Sequence, residues 1–142
     1  MIDGDSRNGG TPPSDSSAAG PGRRPIGPLS MDEEVVGRHI VLRPRGNINR
    51  ATSAAFEDRL LPLVNGGRAV IVDLGGVATV SSAGLRVMAQ LAGLARDRSN
   101  LIFAAPNEMV SDILNVTGFD TLLDIAPNLT VALTRAAKSS SE

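Results

Sequence analysis

The chain has no cysteine, no tryptophan and no tyrosine, and only three phenylalanines and one histidine in 142 residues. Without cysteine there are no disulfide staples and no thiolate metal sites. Without tryptophan or tyrosine there is no platform on which bases or sugars could stack. The core must therefore be aliphatic, built from Val, Leu, Ile and Ala. An excess of either charge is missing too. Fifteen acidic residues against fourteen basic ones leave a formal net charge of −1, which argues against nucleic acid as a main partner, because phosphate backbones call for clustered basic charge. The apolar runs are short. None is long enough to span a bilayer, and the N-terminus lacks the apolar segment of a signal peptide. A cytoplasmic protein is expected.

Glycine, proline and serine make up more than half of residues 1–30: six Gly, five Pro and five Ser. Such a stretch buries too little apolar surface to offset its ordering entropy, so residues 1–30 are expected to be a disordered tail. Residues 31–137 carry a single domain, large enough for one core, and residues 138–142 form a flexible C-terminus.

What is present centres on residues 69–95, AVIVDLGGVATVSSAGLRVMAQLAGLA. Ala69 to Leu74 is a β-branched apolar run that ends in Gly75-Gly76, the pattern of a buried strand and its exit. Val77 to Val80 bring the chain across. Ser81-Ser82 then open a helix whose apolar face is Leu85, Met88, Ala89 and Ala92. A strand that passes to a helix through a Gly- and Ser-rich loop is where α/β proteins commonly keep their chemistry.

Around this centre the periodicities predict two short strands, Glu33 to Val36 and His39 to Pro44, turning at Gly37-Arg38. Pro44 suits a strand end. A loop Gly46-Asn47-Ile48-Asn49 follows, then a helix from about Arg50 to Val64 with Asn49 as its cap and Pro62 as a kink or early end. Leu101 to Ala105 is a strand. A helix capped by Asn107 follows, with Val110, Ile113 and Leu114 inward and Gly118 as its stop. Thr121 to Ile125 is a short strand and Leu129 to Ala137 a last helix. The order predicts an α/β fold: a small, mostly parallel sheet of four or five strands with an antiparallel edge hairpin and about four helices, packed mainly on one side.

Ser81 and Ser82 admit two readings. As caps, their hydroxyls accept from the first free amides of the helix. As a phosphorylation site, a phosphate would meet the positive end of the helix dipole and add about two negative charges to a surface. Gly84 would leave room for a partner's backbone. An enzyme is not expected. His39 is expected on a strand face far from Ser82, which excludes a Ser-His-Asp arrangement, and no Gly-x-Ser-x-Gly elbow, dinucleotide fingerprint or Walker motif is present. Asp73 is a lone carboxylate, so no metal and no cofactor is expected.

The segment Asp73 to Leu85, together with the order of elements, resembles the STAS domain of the bacterial anti-sigma factor antagonist type, over about residues 33 to 137. Gly46-Asn47-Ile48-Asn49 is similar to that family's Gly-Glu-Leu-Asp loop, and Thr117-Gly118-Phe119 to its Ser/Thr-Gly-Leu/Phe after the third helix. The resemblance implies an antagonist that binds an anti-sigma factor serine kinase, is inactivated by phosphorylation and is reset by a serine phosphatase. It makes Ser82 the phosphoacceptor, with Ser81 a secondary candidate, and places Asn47, Asn49, Ser81, Ser82, Ala83, Gly84 and Arg86 on the partner-binding surface. Four positions depart from the family pattern. Ser81 stands at its usual Asp, Ala83 at its second Ser/Thr, and Asn47 and Asn49 at its acidic loop residues. A non-phosphorylated STAS scaffold or transporter-associated docking module is the alternative with the same fold.

Overall fold

The apolar runs that lack a polar alternation become strands covered on both faces. In the computed structural model, which describes residues 29–98 and 100–140, Ser30–Val36 (β1) and His39–Ile48 (β2) form an antiparallel hairpin with Val36 opposite His39. Gly37 takes φ 61° in its two-residue turn, a backbone angle that favours glycine. Then come the helix Ser53–Asn65 (α1), the strands Val70–Asp73 (β3) and Val77–Val80 (β4), and the helix Ser82–Arg98 (α2). The strand Leu101–Ala104 (β5), the helix Glu108–Thr117 (α3), the strand Asp124–Ala126 (β6) and the helix Leu129–Ser140 (α4) complete the order. One-turn 3-10 helices lie at Leu74–Gly76 and Phe119–Thr121.

The main path of the sheet is β1-β2-β3-β5-β6, and every pairing beyond the hairpin is parallel. The period of two along each strand divides the core. Leu42, Val70, Val72 and Phe103 face α1, α2 and α3, packing with Phe56, Leu60, Leu85, Met88, Leu91, Val110 and Leu114. Their neighbours Val41, Ile71, Ile102 and Ala104 face the other way, against Ala132 and Ala136 of α4. Three helices on one face and one on the other is the distribution expected from the size of the chain. The large side chains sit on the crowded face. The alanine seam brings α4 close to the sheet on the other.

Several expectations are corrected. The sheet has six strands, because Val77–Val80 is a strand in its own right. Pro44 lies inside β2, not at its end. It falls where β2 has left β3 at Leu42 and has not yet met β4 at Gly46, so its missing N–H costs no bond on that side. Gly46 to Ile48 is therefore strand, not loop. Thr121 belongs to a 3-10 turn and the last strand begins only at Asp124. Pro62 sits within α1, which runs on past it to Asn65. The fold begins earlier than expected: Leu29 is buried and Ser30 starts β1. α4 extends past Ala137 to Ser140. The rest of the predicted tail, residues 1–28, and residues 141–142 lie outside the described residues.

Arginines stitch the hairpin to its surroundings. Arg43 binds Glu34 at 2.6 Å and Asp73 at 3.4 Å, Arg45 meets Asp32 at 3.9 Å, and Arg59 of α1 binds Glu33 at 2.9 Å. The hydrogen bond that Arg43 donates to Glu34 raises its guanidinium pKa, with Asp73 adding to it against an opposing effect of burial. These are partly exposed pairs, each contributing about 1 kcal/mol or less. They neutralise the acidic side chains of β1.

Candidate functional site

β2 is long enough to pair twice, and this builds the site. Beyond its β3 segment it takes β4 as a second parallel neighbour, with Gly46 opposite Val77, Asn47 opposite Thr79 and Ile48 opposite Val80. The ladder runs one bond further, the Ser81 amide donating to the Ile48 carbonyl at 2.9 Å. Two segments far apart in sequence, the turn at Asn47 to Thr52 and the start of α2, are thereby held side by side. On its far flank β4 is tied to α3, because the Asn107 side-chain amide donates to the carbonyls of Val77 at 3.1 Å and Ala78 at 3.4 Å.

The Asn47–Thr52 turn is locked by its own polar groups. Asn49 Oδ1 accepts from the amides of Ala51 at 2.9 Å and Thr52 at 3.1 Å. Thr52 Oγ1 donates to the Asn47 carbonyl at 2.7 Å and accepts from the Asn49 amide at 2.9 Å. Asn49 thus caps the turn that leads into α1 rather than the helix itself, whose N-cap is Thr52 with no side-chain cap bond, so the expected cap is corrected. The Asn49 side chain is occupied by this work, and Thr52, the single buried polar residue of the core among those described, closes the web. Sequence reasoning did not single out Thr52. Its spacing three residues after Asn49 was the available signal.

At the start of α2 the Ser81 carbonyl accepts from the Leu85 amide at 2.9 Å, which makes Ser81 the last residue before the helix. Its hydroxyl does not cap. Ser81 Oγ is buried and makes no hydrogen bond, so the expected capping role is corrected. Both backbone groups of Ser81 are fixed, the amide by Ile48 and the carbonyl by Leu85, and the side chain takes the direction this leaves. Ser82, by contrast, is exposed on the first turn, where the leading amides of a helix have no partner within it.

Gly84 is buried directly beneath. A Cβ there would stand 2.7 Å from Ile48 Cγ2, 2.8 Å from Val80 Cγ1 and 2.9 Å from the Ile48 carbonyl oxygen. The close approach it permits is to the chain's own strands rather than to a partner's backbone. Asn47, Asn49, Ser81 and Ala83 are half-buried around Ser82, and Arg86 is exposed one turn further along α2. Arg50 and Ala51 project from the neighbouring turn, both exposed. The surface is therefore small, polar and slightly basic, with a hydroxyl in the open at the positive end of a helix dipole. A negatively charged group at that position would meet the positive end of the dipole.

Other candidates do not converge on it. His39 opens β2, about 30 Å along the strand from Ile48 at the usual rise per residue, and its Nδ1 is buried without a partner. Asp73 caps the 3-10 turn, accepting from the Gly75 amide at 2.9 Å. A cleft of about 200 Å³ lined by Arg96, Asn100, Leu101, Leu122 and Asp124 lies some 20 Å from Ser82 at the helical rise. Among the described residues no group of acidic or histidine side chains is placed to hold a metal ion, and no helix is long and apolar enough to cross a membrane.

The sequence model of the STAS domain matches residues 30–132. The fold is similar to that of an anti-sigma factor antagonist from Mycobacterium paratuberculosis, at 23% identity and TM-score 0.72, covering 77% of this chain and 94% of that one. It is also similar to the anti-sigma factor antagonist SpoIIAA in its unphosphorylated form, at 15% identity and TM-score 0.63, covering 77% and 97%. The murine anion transporter Solute Carrier 26 family member A9 in its inward-facing state aligns at 16% identity and TM-score 0.63, covering 74% of this chain but 18% of the transporter. At these identities the likeness is one of fold. No curated protein sequence matches the chain.

Proposed function

The chain belongs to the STAS domain family, and on that premise we propose that it is an anti-sigma factor antagonist of the cytoplasm that docks on an anti-sigma factor serine kinase and is switched off when that kinase phosphorylates Ser82. The observation that carries this reading is the exposed Ser82 on the first turn of α2, beside the Asn47–Thr52 turn. A kinase must reach the hydroxyl it modifies, and the same surface must be covered by the partner that the modification expels. Both conditions are supported at one place. Structural neighbours named as antagonists, one of them in an unphosphorylated form, support the class of partner.

The switch works by desolvation and charge. Docked, the neutral hydroxyl costs little to bury. Phosphorylated, it carries about two negative charges, which a partner built for a hydroxyl cannot pair. The free amides of α2 stabilise the phosphate on the isolated domain. They therefore favour the modified, undocked state. Arg50 and Arg86 form a cationic rim suited to acidic groups on the partner. A serine phosphatase would reverse the state.

The test is a titration of wild type and Ser82→Asp against the anti-sigma factor recovered by pull-down from the native cell, with mass spectrometry of the Ser81–Ser82 peptide. The expected result is binding weakened at least tenfold in Ser82→Asp, with unchanged thermal stability, and a phosphate on Ser82. Equal binding by the two proteins, with no phosphate found, supports the rival reading of a constitutive docking module.

A further inference from the structure

One helix of the domain leaves apolar side chains in water. Among the described residues the exposed large apolar side chains are Val35, Leu94, Met109, Val116 and Leu122. Three of these five belong to α3 and the turn that follows it, and Val116 is 85% exposed. Met109 and Val116 stand two helical turns apart with the half-buried Ile113 between them, so the three share one stripe. Val110 and Leu114, on the inner side, already anchor α3 in the core. The outer stripe is surplus to folding, and an exposed apolar patch marks a contact surface.

The stripe borders an open groove. α2 packs against α1 and α3 against β4, while α2 and α3 barely touch. At its lower end the groove deepens into the cleft lined by Ala92, Arg96 and Leu122, so that flank of α2 looks toward α3. Both helices return along the same face of the sheet and run the same way. At about 100° per residue, the flank of α3 that looks back at α2 is the one carrying Met109, Ile113 and Val116.

The outer surface of α2 is the counterpart of that stripe. Gly93 is exposed there, and a Cβ built on it meets nothing within 4 Å. Glycine inside a helix is destabilising, and the fold gives no reason for this one, unlike Gly84. A helix laid against α2 does, because the missing Cβ leaves a notch for an apolar side chain. Charge agrees. α2 exposes Arg86 and Arg96, α3 exposes Glu108 and Asp112, and none of the four makes an ion pair among the described residues. The levels agree as well. Asn107 is tied to Val77 and Ala78, whereas α2 starts past the end of β4. The strand from Ala78 to Ser82 is roughly 13 Å long, the length of about nine residues of helix. Met109 then stands level with Gly93, and Asp112 with Arg96.

We propose that two copies of the chain pair through this face, about a two-fold axis parallel to the helices, with α2 of each laid on α3 of the other. Such an axis preserves the levels. Each Met109 fills the notch at the other copy's Gly93, and each Asp112 meets the other copy's Arg96. The face is self-complementary and the contact occurs twice, as a closed dimer requires. The inference does not rest on the reading of Ser82, which lies roughly 20 Å from Arg96 along α2.

The test is sedimentation equilibrium of the full chain at rising concentration. The mass should climb from that of one chain to that of two. Arg96→Glu and Asp112→Lys, each alone, set like charges against each other at both contacts and should weaken dimerisation about tenfold. Mixed in equal amounts, the two variants should recover the wild-type constant, because their heterodimer holds one native pair and one exchanged pair. Gly93→Gln fills the notch. It should weaken the dimer by a similar factor while the melting temperature of the dilute monomer holds or rises, since glutamine favours helix. A wild-type chain that stays monomeric overturns the proposal. So does a dimer that the charge variants or Gly93→Gln leave intact, and so does a mixture no more dimeric than either variant alone.

Discussion

Two helices of this domain flank the same short strand, and they begin differently. α3 is closed at its start. Asn107 Oδ1 accepts from the Val110 amide at 2.7 Å, Glu108 stands in its first turn, and the other half of the Asn107 amide holds β4. α2 begins with a serine hydroxyl that is buried and unbonded and a second that faces solvent. One helix start is spent on holding the fold together. The other is held in place by backbone and packing, through Ser81 on Ile48 and Gly84 beneath, and the Ser81 hydroxyl caps none of its leading amides. The difference separates the residues that position the site from those that could act in it.

The largest effect should come from disturbing the packing under α2. Gly84→Val adds a branched side chain where even a Cβ meets Ile48 and Val80 below 3 Å. Overpacking of this kind costs about 1–3 kcal/mol. Urea denaturation should show a lower midpoint, and partner binding should weaken because the Ser82 turn is displaced. Asn107→Ala comes next. It removes a helix cap worth about 1 kcal/mol together with the bond to Val77, so a loss of about 1–2 kcal/mol is expected by the same measurement. Asn49→Ala frees two amides of the Asn47–Thr52 turn, and about 1 kcal/mol should be lost. The effect on docking should exceed that of Asn107→Ala, since the turn borders Ser82. Smallest is Ser81→Ala. Its hydroxyl has no partner to lose, and an unsatisfied buried polar group costs rather than contributes. Stability should stay within about 0.5 kcal/mol of wild type or rise slightly. A loss of 1 kcal/mol or more in Ser81→Ala would show that the two helix starts are capped alike and would end the comparison.

The features read correctly from the sequence are those whose cause lies within a few residues. The Asn107 cap and the Gly118 stop are contacts across one helical turn, and Gly118 duly takes φ 80° at the end of α3. The hairpin turn at Gly37 is equally local. The α2 stripe is legible in part: Leu85 and Met88 are buried as expected, but Val87 and Leu91 are also in the core, because α1 and the sheet together enclose more of α2 than one face. The misreadings concern pairings between distant segments. β4 has four residues and no alternation that marks it, and it is a strand only because β2 lies alongside. The passage of β2 through Pro44 is allowed only because its neighbour changes there. Ser81 has the residue type and position of a cap, and the sheet bond to its amide decided otherwise.

By itself the sequence determined the order of elements other than β4, an aliphatic core, and a serine pair at the start of a helix, since alternation, helical spacing and capping chemistry are properties of neighbouring residues. Only the tertiary structure decided which serine is open and which is shut, and that the Asn47–Thr52 turn and the start of α2 share one end of the sheet. Those outcomes depend on which strands pair, and a pairing across thirty residues is set by the packing of the whole domain rather than by the residues that make it.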